Sequence, residues 1–241
     1  MKNQIIIHST EDQARIALLE DGELAQLFIQ SEENQRTVGN IHVAKVHKVM
    51  SGIKAAFIDM GTPKDAFLHF SDAGDHLDEY IAMLNGKNAI PNHVKPDLKN
   101  KEKLANHQKQ ALAGKILRNG QKLLVQIVKE PIGSKGPRIS TDITIAGRFL
   151  VLIPMGDYIA VSKKISNYKE RRRLKNVLGD MVPDGFGVIV RTVAQGQDEK
   201  AIEDDLRDVL RKWEKILDKL ETAKPPSLLH RDLDMTESLI R

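Results

Sequence analysis

Short apolar runs separated by turn residues restrict the fold of this chain more than any other feature. They fill residues 39–70 and return at 122–129, and Ser51-Gly52 and Gly61-Thr62-Pro63 mark turns in the first part. Such closely spaced short strands are typical of a small closed barrel. The polar stretch at 72–120 is then predicted to be an excursion between two strands of that barrel.

The segments around this predicted barrel contain both strands and helices. Residues 4–29 predict a three-stranded meander with a hairpin turn at Asp21-Gly22. The apolar residues of 201–220 fall on one face of a helix, which predicts an amphipathic helix there. The remaining elements that the pattern predicts are helices near 100–117 and 167–178, strands at 149–153 and 187–190, and short strands within the Gly/Pro-marked loop 131–147.

The amino-acid composition limits the classes of protein to which this chain can belong. The 241 residues are 41% hydrophobic and 29% charged, with a net charge of +4, which is ordinary for a globular protein with a mild preference for polyanions. No apolar run reaches the length of a membrane span and no signal peptide is recognised. Cysteine is absent, which excludes disulfides and thiolate metal sites and favours an intracellular, cytoplasmic location.

Two of the six phenylalanines, Phe57 and Phe67, lie on neighbouring predicted strands. Strand alternation places Phe57 on the same face as Asp59, and Phe67 on the same face as Asp65 and His69, so that this face is expected to meet solvent. Exposed aromatics on a small barrel can stack on the bases of single-stranded nucleic acid. Phenylalanine is also commonly a core residue, and the pattern leaves both interpretations open.

Basic residues form three further candidate sites. Lys135-Gly136-Pro137-Arg138 is a cationic loop, and residues 171–173 are three consecutive arginines on a predicted helix, where a charged face is usually just solvated. Arg191-Thr192 follows a buried strand, and a guanidinium, a hydroxyl and backbone N–H groups there can together hold one phosphate. A surface arginine beside a turn threonine is the simpler alternative.

The sequence contains no recognisable catalytic constellation. The eight histidines are scattered without metal-ligand spacing, and neither a nucleophile elbow nor a phosphate-binding glycine loop is present. Asp204 and Asp205 lie in the first half of a predicted helix, where acidic residues favour the helix dipole, and Asp232 and Asp234 have no visible partner. We assign neither pair to catalysis, and no residue to a metal site.

Several segments together resemble the N-terminal half of the ribonuclease E/G family of bacterial endoribonucleases, and more closely its ribonuclease G branch. The resemblance extends over nearly the whole chain, although residues 72–115 match poorly. It is carried by AAFIDMG with AFLHFSD, by NGQKLLVQIVKEPIGSKGPRISTDITIAGRFLVLIP, by GFGVIVRT and by the helix that contains Trp213-Glu214.

The resemblance implies an α+β fold of several subdomains, in which an RNase H-like subdomain is interrupted by an OB-fold barrel of the S-one type and then by a 5′-sensor subdomain. The implied boundaries are 1–37 for the first RNase H-like part, 38–130 for the barrel with its insertion at about 72–120, 131–200 for the sensor and 201–241 for the start of the second RNase H-like part.

The resemblance also implies roles for individual residues. Phe57, Phe67 and Lys135 match positions that contact RNA in the family. The family's pocket for a 5′-monophosphate matches Gly147, Val151, Arg191 and Thr192, where Arg191 would supply the guanidinium and Thr192 its hydroxyl and backbone N–H.

The function that the resemblance implies is binding of single-stranded, 5′-monophosphorylated RNA as part of an endoribonuclease of RNA processing and decay. Magnesium and homo-oligomerisation are expected for the longer parent enzyme, whose catalytic subdomain would lie beyond residue 241, so that this chain alone is expected to be inactive. A free-standing RNA-binding OB module and a purely structural or protein-interaction segment are the alternatives.

Overall fold

The computed structural model describes residues 2–10, 13–31, 37–85 and 106–232. The chain divides into two compact units, one formed by 1–37 with 232–241 and the other by 38–231. In chain order the elements are β1 (Asn3–Ser9), β2 (Gln13–Glu20), β3 (Glu23–Ser31), β4 (Ile41–Met50), β5 (Ala55–Asp59), β6 (Ala66–His69), α1 (Leu77–Asn85), α2 (Asn106–Ile116), β7 (Lys122–Lys129), β8 (Arg138–Ser140), β9 (Ile145–Ala146), β10 (Leu150–Pro154), β11 (Ile159–Val161), α3 (Tyr168–Gly179), β12 (Phe186–Val190), α4 (Glu199–Thr222) and β13 (Ser227–His230).

The first unit contains the predicted meander. Strands β1, β2 and β3 pair in that order, each antiparallel to the next. Asp21 and Gly22 join β2 to β3 with φ angles of 50° and 90°. Positive φ at both central residues is what a tight two-residue hairpin requires, and an Asp-Gly pair adopts it readily. The predicted hairpin turn is therefore confirmed.

Five strands of the second unit close into a barrel in the order β4-β5-β6-β8-β7, and β7 pairs again with β4. Strand β4 takes part twice because its first half pairs with β7 and its second half with β5. A register shift between Val46 and Lys48 bends the strand between these halves, as bulges do at barrel corners. The predicted closed barrel and the α+β class are confirmed.

The fifth strand of the barrel lies later in the sequence than residue 130, the implied end of the barrel. Strand β8 has only three residues in a loop rich in glycine and proline, and it pairs parallel to β6 and antiparallel to β7. The barrel interior is filled by small and aliphatic side chains, among them Val46, Ile58 and Leu68. The barrel therefore extends into the segment to which the resemblance assigned the sensor.

The excursion between β6 and β7 contains two α-helices in its described part. One was predicted, and the other was not, because the segment is polar overall. The helix predicted near 100–117 is present as α2, and residues 86–105 of the excursion lie outside the described part of the chain. Helix α1 was not predicted, although Leu77, Tyr80 and Ile81 have helical spacing and are buried in the cores.

A second sheet, with strand order β11-β12-β10-β9, packs against α3 and α4 in one core that it shares with part of the barrel. Helix α4 buries Ile202, Leu206 and Val209 on the face that the sequence predicted. Strands β11 and β13 were not predicted; β13 follows α4 and pairs with the start of β4. Among the described helices, none is long and apolar enough to cross a membrane.

His42 of β4 is half-buried, and its Nδ1 atom is buried without a hydrogen-bond partner in the described structure. Burial disfavours the charged imidazolium and lowers the pKa of His42 to about 4, from an ordinary value of 6.5. The unfolded chain therefore takes up a proton at a higher pH than the folded chain does. The stabilisation that this provides is complete above pH 6.5 and is lost as the pH falls towards 4.

We expect the free energy of unfolding to fall between pH 6.5 and pH 4 by a His42-dependent amount of about 1 to 2 kcal/mol, which allows for the partial exposure of the ring. Urea unfolding at several pH values checks this, with the His42→Leu variant as the control that cannot titrate. An equal pH dependence in the wild type and in the variant would contradict the assignment.

Candidate nucleic-acid interface

Phe57 and Phe67 form a pair on the outer face of the barrel. They lie directly opposite each other on β5 and β6, and their ring centroids are 6.0 Å apart in an edge-to-face arrangement of 68°. Both are half-buried, whereas their strand neighbours Ala56, Ile58 and Leu68 point inwards and are fully buried. The predicted alternation is confirmed, and neither ring belongs to a buried core cluster.

Basic side chains extend this aromatic pair into a row across four strands. Lys48 of β4 lies opposite Phe57, and Arg138 of β8 lies opposite Phe67. Residues directly opposite on neighbouring strands project to the same side of a sheet. The Lys48 side chain is exposed, and its ammonium makes no hydrogen bond or ion pair with the described residues. We call Lys48, Phe57, Phe67 and Arg138 the barrel row.

Arg138 is less available to a ligand than Lys48. Its guanidinium donates to both carboxylate oxygens of Asp72, at 2.7 and 3.0 Å. This two-fold contact with a carboxylate raises the pKa of Arg138 and fixes its orientation. Sequence reasoning did not place Lys48 or Arg138 beside the two rings, because their register depends on the bulge in β4 and on the short strand β8.

The loop that carries Lys135 is tied to the start of β6. Lys135 is exposed and its N–H donates to the carbonyl of Ile132, which closes a tight turn. Gly136 passes so close to β6 that an added Cβ would lie 2.0 Å from the carbonyl oxygen of Asp65. The N–H of Phe67 donates to the carbonyl of Pro137 at 2.8 Å. The structure thus brings the Lys135 loop next to the strand of Phe67.

A second candidate surface lies where β12 ends. Arg191 is exposed, and its Nη1 donates to the carbonyls of Gly147 and Arg148, at 2.7 and 3.3 Å. Its backbone N–H donates to the carbonyl of Phe149. The Nε and Nη2 atoms of the guanidinium make no hydrogen bond with the described residues. One edge of the guanidinium is anchored, and its other donors are available to a ligand.

The remaining predicted pocket residues are on the elements that surround Arg191. Thr192 opens a short 3-10 turn, and its hydroxyl lies 3.3 Å from that of Ser162 after β11. Val151 of β10 is half-buried and lies opposite Ala146, the residue before Gly147. The 147–150 turn, strand β10 and the end of β12 thus bring Gly147, Val151, Arg191 and Thr192 into one region.

Asp205 of α4 supports this region from beneath. Its carboxylate accepts hydrogen bonds from three consecutive backbone N–H groups, those of Arg148, Phe149 and Leu150, at 2.8 to 2.9 Å. A Cβ added at Gly147 would lie 2.6 Å from a carboxylate oxygen of Asp205, so only glycine fits there. Sequence reasoning attributed Asp205 to the helix dipole; its place among the apolar residues of α4 was the signal that distinguishes it from Asp204.

Of the three consecutive arginines on α3, two are half-buried and make hydrogen bonds within the chain, and one is exposed. Arg171 donates to the carbonyls of Ser162 and Ile165. Arg173 contacts both oxygens of Glu170, which also accepts from the N–H of Gly196. These bonds, with Arg173 first, lower the pKa of Glu170 to about 2. Arg172 is exposed and makes no contact of this kind within the described residues.

The described residues contain no group of three or more histidine, aspartate or glutamate side chains that could hold a metal ion.

Comparison with known proteins agrees with the resemblance read from the sequence. The family model described as the ribonuclease E/G family matches residues 144–241. Ribonuclease G of Escherichia coli strain K12 is 32% identical over 241 residues, which are 100% of this chain and 45% of that protein. The chain belongs to the ribonuclease E/G family. The model of the ribonuclease E/G family matches the segment that contains Gly147, Arg191 and Asp205.

Other members of the ribonuclease E/G family match over the same extent. Ribonuclease G of Haemophilus influenzae is 31% identical over 238 residues, which are 99% of this chain and 44% of that protein. Ribonuclease E of a Nostoc species is 32% identical over 242 residues, which are 100% of this chain and 31% of that protein. The chain thus spans less than half the length of the curated relatives named here, and these matches include the barrel as well.

Proposed function

We propose that this chain binds single-stranded RNA and senses its 5′-monophosphate, as a portion of an endoribonuclease of RNA processing and decay. Two surfaces would divide this work. The barrel row and Lys135 would bind the strand, and the residues around Arg191 would bind its 5′ end. The relatives carry the names ribonuclease G and ribonuclease E, which supports RNA as the ligand.

The barrel supports the proposal through the chemistry of its outer face. Bases would stack on Phe57 and Phe67, while Lys48 and Lys135 would meet phosphates on either side of the rings. Stacking on exposed aromatics and nearby basic side chains is how OB-type barrels bind single strands without strict sequence preference.

The half-anchored guanidinium of Arg191 is the observation that carries the sensing proposal. With Nη1 bonded to the carbonyls of Gly147 and Arg148, the guanidinium keeps Nε and Nη2 for a ligand, and Thr192 is the next residue in the chain. A guanidinium fork and a hydroxyl are suitable donors for one phosphate. Gly147 would leave room for the terminal nucleotide, Val151 would offer its backbone, and a triphosphate would be too bulky.

The parts of the proposal that concern the whole enzyme extend beyond the described residues. We propose that the parent enzyme hydrolyses RNA with a magnesium-activated water, and we assign no residue of this chain to that step. The RNase H-like and sensor subdomains belong to the same proposal, with the barrel extended to β8 and with α4 packed on the sheet of the proposed sensor. Homo-oligomerisation of the parent and a cytoplasmic location stay predictions.

Fluorescence anisotropy of a short single-stranded RNA, labelled at its 3′ end and carrying either a 5′-monophosphate or a 5′-hydroxyl, tests the proposal. We expect the monophosphate to bind about 10-fold more tightly, as one or two charge-assisted hydrogen bonds would provide. Both RNAs should bind more weakly as salt increases, because phosphate contacts release counterions. No cleavage is expected with or without magnesium.

Each outcome separates the candidate functions. Equal affinity for the two 5′ ends would leave only the barrel and would favour the alternative of a free-standing OB-fold RNA-binding module. No binding at low salt would support a structural or protein-interaction role. Cleavage that persists in a preparation shown to lack contaminating nuclease would place a catalytic site within this chain.

A further inference from the structure

We propose that Asp205 is a positioning residue for the 5′ end, because its carboxylate fixes the peptide groups that in turn hold the Arg191 guanidinium. This inference rests on the proposed function, since it concerns the pocket proposed to bind the 5′-phosphate. A buried residue of α4 would thus help to set the preference for the 5′ end of the RNA.

The carboxylate of Asp205 contacts the backbone of the turn that follows β9. Asp205 is only 9% exposed, and its two oxygens accept the N–H groups of three consecutive residues, Arg148 to Leu150. A carboxylate on the buried face of α4 is unfavourable unless its oxygens are satisfied. Here the backbone of the turn satisfies them, so the position of the turn and that of the carboxylate are coupled.

The same peptide groups of the turn also bind Arg191. The peptide group between Gly147 and Arg148 gives its N–H to Asp205 and its carbonyl to Nη1 of Arg191. The next peptide group, between Arg148 and Phe149, does the same. Two neighbouring peptide groups therefore lie between a carboxylate and a guanidinium, each hydrogen-bonded at both ends.

This arrangement aligns both peptide dipoles with the two charges. The N–H end of each group faces the negative carboxylate, and the carbonyl end faces the positive guanidinium. Hydrogen bonds in such a chain polarise and strengthen one another. The carboxylate thus makes the two carbonyls better acceptors, and these hold one edge of the Arg191 guanidinium while its other donors face outwards.

Glycine at position 147 is part of the same arrangement. An added Cβ would lie 2.6 and 2.7 Å from the two carboxylate oxygens of Asp205, which would push the carboxylate away from the amides. The Asp205 carboxylate thus occupies the space that a Cβ of residue 147 would need, which is the structural reason for glycine at this position.

The test is the ratio of RNA affinities, 5′-hydroxyl Kd divided by 5′-monophosphate Kd, in the Asp205→Asn variant. Asparagine keeps the shape but turns an NH₂ group towards backbone donors, so that the turn and Arg191 lose their fixed position. We expect the ratio to fall at least fivefold while the affinity for 5′-hydroxyl RNA stays within twofold of the wild type. The latter affinity reports the barrel row, to which none of the three Asp205 hydrogen bonds runs.

Two matched variants separate positioning from charge and from stability. Asp204→Asn makes the same charge change at a neighbouring side chain that is 59% exposed, and should keep the wild-type ratio. Val209→Ala shortens a buried side chain on the same helix and lowers the melting temperature without changing the carboxylate. It should also keep the wild-type ratio.

The outcomes distinguish this inference from the proposed function. The inference alone is overturned if the wild type prefers the monophosphate and the folded Asp205→Asn variant has the same ratio of affinities as the wild type. An equal fall of the ratio in Val209→Ala overturns it too, because stability would then be the cause. No preference in the wild type refutes the proposed sensing itself. If Asp205→Asn does not fold, Asp205→Glu replaces it, and a wild-type ratio in that variant overturns the inference.

Discussion

The Arg191→Ala variant is expected to bind 5′-monophosphorylated and 5′-hydroxyl RNA with equal affinity. The substitution removes the guanidinium whose Nε and Nη2 atoms are available for a phosphate beside Thr192. A charge-assisted hydrogen bond contributes about 1.5 kcal/mol or more, so the affinity for the monophosphate should fall about 10-fold, to that for the 5′-hydroxyl RNA. Anisotropy with the two RNAs measures this directly.

Arg172→Ala is the matched control for charge. Arg172 is an exposed arginine on α3 whose guanidinium makes no hydrogen bond or ion pair with the described residues, so its loss changes the net charge equally. It should weaken both RNAs slightly and to the same degree, leaving the preference intact. Arg191→Lys keeps the charge but lacks the planar fork that spans two carbonyls and a phosphate, and should recover only part of the preference.

Two results would contradict the assignment of Arg191. An unchanged preference in Arg191→Ala would show that the 5′-phosphate is bound elsewhere. An equal loss of preference in Arg172→Ala would show that general charge and not a pocket produces it. Melting temperatures should accompany the binding data, since the variant also loses the bonds to the carbonyls of Gly147 and Arg148.

Local sequence patterns predicted those elements whose residues repeat regularly. The alternation in 41–49 and 122–129 predicted β4 and β7, and the helical spacing of apolar residues predicted α4. Buried apolar runs predicted β10 and β12, and short strands were expected within residues 131–147, whereas β11 and β13 were not predicted. Strand β8 has three residues in a glycine- and proline-rich loop, yet it closes the barrel, because what selects it is pairing with β6 and β7.

In the candidate sites too, features that depend on one strand or helix were predicted, and contacts between segments far apart in sequence were not. Alternation indicated a solvent-facing side for Phe57 and Phe67, with burial in the core left open as the alternative. Their neighbours Lys48 and Arg138 were not recognised because register between strands depends on a bulge that the sequence does not display. Asp205 was interpreted through its own helix only, whereas its partners are 55 to 57 residues away in sequence.

The Phe57→Leu and Phe67→Leu double variant is expected to show the largest loss of RNA affinity, whatever the 5′ end. Leucine keeps apolar contact with the barrel surface but offers no flat face to a base. Stacking contributes about 1 to 3 kcal/mol per base, so the loss of two stacking faces should weaken binding at least about 30-fold. The preference for a 5′-monophosphate should remain, because Arg191 is unchanged.

The double variant with tyrosine at both positions separates stacking from packing. Tyrosine retains the ring and adds a hydroxyl at an edge that is half-exposed, so RNA binding should stay near that of the wild type. A loss with tyrosine equal to that with leucine would contradict stacking. Wild-type affinity in the leucine variant would show that the RNA path avoids the barrel row.

Stability measurements decide whether a loss of binding comes from the surface or from the fold. The two rings contact each other edge to face across β5 and β6, and such a pair contributes about 0.5 to 1.5 kcal/mol beyond its buried area. Both leucine substitutions should therefore lower the stability of the barrel modestly. If binding is lost while most molecules remain folded, the aromatic faces themselves bind RNA. Since the interior residues Ala56, Ile58 and Leu68 are untouched, this is the outcome that the structure favours.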